Sequence, residues 1–256
     1  MKITVVQSDP VWENSNASLA RLDELLNKEK VGTDIYVLPE MFNTGFTVNT
    51  DAVAEATDGP TLAWMKEKAA LFSAVIAGSI AVREEGRFFN RMLFVRPDGS
   101  WSFYDKRHLH SPGGEDIAFT PGKKRVTCRH GDMNFNLQIC YDLRFPVWAR
   151  NTDSTDVIIY PASWPEARIY AWKSLLIARA IENQCYVIGA NRVGTSPDGT
   201  KYCGESLIID PLGKILSSLP HYEEGLLSSE ISKDYIEKIR KTLPALKDAD
   251  DFRITL

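Results

Sequence analysis

Phe135–Pro146 reads FNLQICYDLRFP, and the placement of Cys140 within it decides how the rest of the chain is arranged. From Met133 an apolar alternation predicts a strand ending at Ile139, and Phe145, Pro146, Val147 and Trp148 predict the opening of a helix. Cys140 then stands at a strand-to-helix elbow. Such an elbow lifts a thiol out of the core and brings it near backbone N–H groups, which favour the thiolate and can cradle a developing oxyanion. A free cysteine is also among the most commonly buried residue types, so this stretch by itself equally admits a small core hydrophobe.

Working outward, two more chemically capable side chains fall at strand ends. Ile35 to Leu38 reads as a strand running into Pro39-Glu40, and Trp101 to Tyr104 leads into Asp105-Lys106. Around them, Ile3 to Gln7 is a buried strand, and Leu19, Leu22, Leu25 and Leu26 mark one face of a helix ending near Lys30. Pro60 opens a helix reaching about Phe72, and the strands Ala74 to Val82 and Phe88 to Arg96 flank a turn at Glu84 to Gly86. His108 to Gly122, rich in Gly, Pro and polar residues, reads as a long loop, and a strand near Arg125 to Cys128 follows. Beyond the cysteine come a strand at Asp156 to Tyr160, a helix at Ala167 to Gln184 and a strand at Cys185 to Asn191. Asp198-Gly199 then turns the chain into a strand from Lys201 through Ile209, and a strand near Leu226 to Ile231 and a helix from Lys233 to about Arg240 close the sequence. No linker, repeat or low-complexity tract divides it, so residues 1–256 are expected to form one domain. Strands and helices alternate in two similar halves with hairpins mixed in. That pattern predicts an α/β architecture of two mixed β-sheets packed face to face and flanked by helices, a four-layer αββα sandwich. A single doubly wound sheet would need fewer hairpin turns.

The composition narrows the chemistry. With 256 residues, 44% hydrophobic and 25% charged, the chain can bury a large core. A net charge of -4 with interspersed signs points away from nucleic acid and from a polybasic membrane anchor. No apolar run approaches a membrane span, and Met1-Lys2 passes straight into ITVVQSD without the features of a signal peptide, so a soluble, cytoplasmic protein is expected. Cys128, Cys140, Cys185 and Cys203 form no CxxC pair and no zinc-ligand spacing, which predicts reduced thiols and no metal. PGKK at Pro121 to Lys124 fails as a phosphate loop, because Ile117 stands where that pattern needs Gly and Lys124 where it needs Ser or Thr.

Glu40, Lys106 and Cys140 are the residue types that amide hydrolysis requires. A thiolate attacks the carbonyl, a base takes the thiol proton and returns it to the departing amine, and a cation or a pair of N–H groups holds the oxyanion. LPEMFNTGF around Glu40, YDKRHL around Lys106 and ICYDLRFP around Cys140 resemble, in order, the three signatures of the nitrilase, or carbon–nitrogen hydrolase, superfamily. The resemblance extends to YPASWP at Tyr160 to Pro165, ARAIENQCYVIGANRVG at Ala178 to Gly194 and GESLIIDPLGKIL at Gly204 to Leu216, and so covers nearly the whole chain. Within the superfamily the sequence is most similar to the ω-amidase branch. The resemblance implies the αββα fold, a homodimer, no cofactor, and hydrolysis of 2-oxoglutaramate and related short ω-amides through a thioester. Other carbon–nitrogen hydrolases, carbamoylases and nitrilases, share this machinery, and a binding protein without catalysis on the same fold is a further reading.

The resemblance also implies supporting residues. Glu115 in GGEDIAFTPG matches an acidic residue that hydrogen-bonds the lysine, with Asp116 as its immediate competitor. Tyr141 would lend its backbone N–H to the oxyanion site. An anionic substrate tail needs a cation, and Arg144 and Arg192 each follow a strand end expected to face the site. Phe46 and Trp164 complete the candidate substrate-binding set, Trp164 reading equally as a core aromatic. His108, His110, His130 and His221 read as exposed or structural, which leaves Glu40 as the base.

Overall fold

In the computed structural model, which describes residues 1–28, 32–152 and 154–255, strands and helices alternate in two similar halves. The first half runs β1 (Lys2–Gln7), α1 (Ser15–Lys28), β2 (Ile35–Val37), α2 (Thr50–Val53), α3 (Pro60–Phe72), β3 (Val75–Glu84), β4 (Arg87–Val95), β5 (Trp101–Asp105) and α4 (Glu115–Ala118). The second runs β6 (Thr127–His130), β7 (Met133–Leu137), β8 (Val157–Ala162), α5 (Ile169–Asn183), β9 (Tyr186–Asn191), β10 (Val193–Thr195), β11 (Lys201–Cys203), β12 (Leu207–Ile209) and β13 (Ile215–Ser218). β14 (Gly225–Glu230) and α6 (Lys233–Thr242) complete the chain.

Among the described residues the strands form two six-stranded sheets, ordered β14-β1-β2-β3-β4-β5 and β13-β12-β9-β8-β7-β6, and β10 and β11 make a separate hairpin. Each sheet has a parallel centre, β1-β2-β3 in one and β7-β8-β9 in the other, with antiparallel strands to either side. The period of two explains the layers. Ile35 and Val37 of β2 share an interior core with Phe135, Leu137, Val157 and Ile159 of the opposite sheet, whereas Tyr36 between them joins Leu19, Leu22, Leu26, Leu62 and Met65 of α1 and α3. On the far side, Trp172, Leu176 and Ala180 of α5 are buried with Ile188 of β9 and Ile208 of β12. Phe94 and Phe135 meet across the middle with ring centroids 5.6 Å apart. The result is the four-layer αββα sandwich of the sequence reading.

The differences from that reading are local. No helix opens at Phe145. Cys140–Arg144 forms a 3-10 turn instead, and Phe145, ahead of Pro146, takes φ -116 and ψ 85 because the proline ring disfavours a helical conformation in the preceding residue. The N–H groups near Cys140 therefore belong to this turn. The 108–122 loop carries a 3-10 turn at Ser111–Gly113 and the short α4. The expected strand from Lys201 through Ile209 is divided between β11 and β12, which lie in different sheets. Gly204 makes the break, with φ at +82 and so little room that a Cβ would lie 2.3 Å from Gln7 Oε1. β13 was not anticipated. The helix end expected near Lys30 lies outside the described residues.

Candidate active site

Four strand ends bring the candidate side chains together. The segment after β2 crosses close over β3 because residue 78 is glycine, where a Cβ would sit 2.8 Å from both Leu38 Cβ and Phe42 Cδ1. That close approach seats Glu40. Lys106 follows β5 directly, its backbone N–H donating to Asn90 O on β4 at 2.9 Å. On the opposite sheet, Ser163 follows β8, and Cys140 follows β7 by three residues. Cys140 has φ +42, a left-handed conformation uncommon for a residue with a side chain, while Ile139 before it is extended. This reversal turns the thiol toward the meeting point of the two sheets. Glu40 and Glu115 are 0% exposed, Lys106 1% and Cys140 8%.

The polar groups form one closed network. Lys106 Nζ donates to Glu40 Oε1 at 2.7 Å and to Glu115 Oε2 and Oε1 at 2.8 and 3.0 Å. Asn90 Nδ2 bridges the same two carboxylates, 2.9 Å from each Oε1. The Ser163 N–H donates to Glu40 Oε2 at 2.9 Å, and the His110 N–H to Glu115 Oε2 at 2.6 Å. The Glu40 carboxylate is close enough to the Cys140 thiol to strengthen its hold on its proton. Burial alone would pull the Lys106 ammonium toward neutrality, but the charges of Glu115 and Glu40 outweigh it and hold its pKa well above the ordinary lysine value. Burial pushes the Cys140 thiol well up, Glu40 adds to this and Lys106 opposes it, so the resting cysteine keeps its proton. Burial also raises Glu115, against the pull of Lys106.

Glu40, Lys106, Cys140 and Ser163 form the floor of a cavity of about 840 Å³ whose walls include Phe46, His110, Tyr141, Arg144, Trp164 and Tyr202. Lys106 Nζ lies 5.5 Å from the centre of the Phe46 ring. The Arg144 guanidinium stacks over Trp164 at 4.8 Å and has no ion-pair partner among the described residues. Arg192 lies elsewhere. Its side chain is 1% exposed and pairs with Asp9 at 2.8 Å, so it cannot serve as the cavity cation. A strand-end position does not determine which way a long side chain turns, and here it turns toward the loop after β1. Asp116 is exposed, leaving Glu115 as the carboxylate on Lys106. Among the described residues no group of three or more His, Cys, Asp or Glu side chains could hold a metal ion.

Three members of the site were not found from sequence. Asn90 is a buried amide among the apolar residues of β4, a polar interruption that could have drawn attention. Ser163 lay inside the YPASWP motif, but its contribution is a backbone N–H. His110, read as exposed or structural, is a cavity wall residue whose ring meets that of Tyr141 edge-on at 5.0 Å.

A buried cysteine, glutamate and lysine thus gather on one cavity at the ends of two facing sheets, the arrangement expected of a carbon–nitrogen hydrolase. Residues 2–241 match the carbon–nitrogen hydrolase family, and the chain belongs to it. Over 254 residues it is 41% identical to omega-amidase YafV of Escherichia coli K12, covering 99% of this chain and 98% of that protein. It is 34% identical to the 2-oxoglutaramate amidase of Bacillus subtilis 168, covering 96% of each. The crystal structure of XC1258 from Xanthomonas campestris, a CN-hydrolase superfamily protein with an arsenic adduct in its active site, superposes with a TM-score of 0.95 at 38% identity, covering 100% of this chain and 99% of that one.

Proposed function

We propose that this enzyme is an ω-amidase, hydrolysing short amides that carry a distal carboxylate, 2-oxoglutaramate among them, to the dicarboxylate and ammonia. The observation that carries the reading is the geometry of one cavity, with Glu40, Lys106 and Cys140 on its floor and, on its wall, the Arg144 guanidinium, which has no ion-pair partner among the described residues. The similarity to an omega-amidase and a 2-oxoglutaramate amidase along the whole chain supports the same substrate class.

In the first half-reaction Glu40 takes the Cys140 proton as the sulfur attacks the amide carbonyl carbon. The resulting oxyanion is held by the Lys106 ammonium and the Tyr141 backbone N–H. Glu40 returns the proton to the amide nitrogen, the C–N bond breaks, and ammonia leaves a thioester on Cys140. A water then gives a proton to Glu40 and attacks the thioester; collapse releases the carboxylic acid, and the sulfur recovers its proton from Glu40. Glu115 and Asn90 keep Lys106 charged and aimed. Phe46 and Trp164 pack against the methylene stem of the substrate, and Arg144 takes its carboxylate.

The same reading takes residues 1–256 as one domain of a homodimer. It is supported by the core shared between the sheets and by exposed apolar side chains on α5, Tyr170 and Ile181, with Leu212 nearby. A cytoplasmic location is supported by four unpaired cysteines.

The test compares kcat/KM for a dicarboxylate monoamide with that for a matched amide lacking the distal carboxylate, in wild type, Arg144→Met and Cys140→Ala. A charge-assisted hydrogen bond is worth about 1.5–3 kcal/mol, so Arg144→Met is expected to erase roughly a 10- to 150-fold preference, and Cys140→Ala nearly all turnover. Equal kcat/KM for the two amides in wild type would reject the ω-amidase assignment. Near-normal turnover by Cys140→Ala would reject the nucleophile.

A further inference from the structure

Asp142 lies two residues beyond the nucleophile, is 0% exposed and does not line the cavity, yet its carboxylate holds both sides of the catalytic machinery. Oδ2 accepts the Ile139 N–H at 3.0 Å, and the Asp142 N–H donates back to Ile139 O at 2.9 Å. This reciprocal pair closes the turn in which Cys140 takes its left-handed conformation. The same Oδ2 accepts the Tyr104 hydroxyl at 2.8 Å, two residues before Lys106. Oδ1 accepts the His108 N–H at 2.9 Å and His108 Nδ1 at 2.8 Å, two residues after Lys106.

The surrounding groups leave each partner little choice. Tyr104 is buried, and its hydroxyl oxygen accepts from the Arg107 N–H at 3.1 Å and from Trp148 Nε1 at 2.9 Å, so its single hydrogen is directed to Asp142. The His108 ring lies flat on Phe145, with centroids 3.8 Å apart and planes 7° from parallel. A carboxylate with four fixed donors from two chain segments acts as a clamp between them.

We infer that Asp142 is a positioning residue that sets the cysteine turn against the lysine segment, so that sulfur, base and oxyanion cation meet the substrate in register. This inference rests on the cysteine mechanism proposed above. An error of about 1 Å in such an arrangement costs on the order of a hundredfold in rate. Asp142→Asn keeps the shape but turns an NH₂ toward one pair of donors. It is expected to lower kcat by roughly 10- to 100-fold with KM changed less than about threefold. Tyr104→Phe removes a single donor and should give a smaller loss of kcat in the same pattern. The double variant should be no slower than Asp142→Asn alone, because both changes act through one carboxylate.

Alkylation of Cys140 by iodoacetamide in the folded variants separates positioning from loosening. A displaced base and cation slow the reaction, whereas a merely loosened structure exposes the thiol and speeds it. Asp142→Asn with kcat within twofold of wild type, a double variant whose loss is the product of the single losses, or faster alkylation would each overturn the inference. Should Asp142→Asn fail to fold, Tyr104→Phe decides it alone: wild-type kcat in that variant overturns the clamp. Cys140→Ala in the same assay must be inactive; if it turned over normally, the mechanism beneath the inference would fall first.

Discussion

Replacing Lys106 by Met removes one charge and leaves two. Glu40 and Glu115, both 0% exposed, would then face each other across the Asn90 amide with no cation between them. Removing one partner of a buried ion pair costs about 3–5 kcal/mol, which in a chain of this size lowers Tm by roughly 6 to 20 °C. The cost depends on pH, because one carboxylate can escape it by taking up a proton. Glu115 is already pushed upward by burial and restrained by Lys106; without the lysine its folded pKa rises further. A raised folded pKa contributes stability that is full below the unfolded value, near 4.3, and is lost as pH rises through the folded value, at about 1.4 kcal/mol per pH unit. The Tm deficit of Lys106→Met should therefore be small near pH 4.5 and widen towards pH 8. Adding Glu115→Gln should recover most of it. Calorimetry of wild type, Lys106→Met and Lys106→Met/Glu115→Gln at pH 4.5, 6 and 8 checks both points, with single-turnover measurements reporting the accompanying loss of acylation. A deficit that does not change with pH, or a double variant no more stable than the single one, would refute the electrostatic account.

Glu40→Gln keeps the acceptor for Lys106 but cannot take the thiol proton, and turnover is expected to fall roughly a hundredfold or more, read from kcat under saturating amide. A loss of only a few-fold would mean that another base acts. Alkaline stability offers a separate check: burial raises the Cys128 thiol to about 12 and pushes Cys140 and Cys185 upward as well. Their contribution is full below the ordinary thiol value near 8.5 and is lost as pH rises toward the folded values, so three thiols together should cost about 4 kcal/mol per pH unit. Thermal melts should show Tm dropping by roughly 10 °C between pH 8.5 and 9.5, with a shallower slope in Cys140→Ala; a flat profile would contradict it.

Much of the arrangement was legible because strand ends are marked in the sequence. Glu40, Lys106 and Cys140 each follow an apolar stretch of recognisable period, and their positions could be placed before any contact was known. What was not legible depends on direction and on distant partners. Asn90 meets Glu40 and Glu115 through the face that β4 presents once it pairs with β3 and β5, a matter of register between strands. Arg192 was misassigned because Asp9, far away in sequence, claims its guanidinium. The helix expected at Phe145 fails on a one-residue effect of Pro146, while the turn at Cys140 is closed by Asp142, whose side chain has no helical periodicity to announce it. Lys106 read simply as an oxyanion cation. Only its burial between two carboxylates makes it a keystone of stability as well.

The contact of Phe94 with Phe135 lies between the sheets, and the same sheets carry the chemistry separately: Glu40 and Lys106 ride on one slab, Cys140 and Ser163 on the other. The spacing of Cys140 and Glu40, the nucleophile and base of the proposed mechanism, is thus a mechanical tolerance, set by the thickness of the filling between two plates. A smaller ring or a missing methyl group deep in that filling works like removing a shim, letting the plates settle or slide and shifting the reacting atoms without touching one of them. In the mechanism proposed above, rate and packing volume are therefore coupled through the seam, by way of interior residues remote from the cavity.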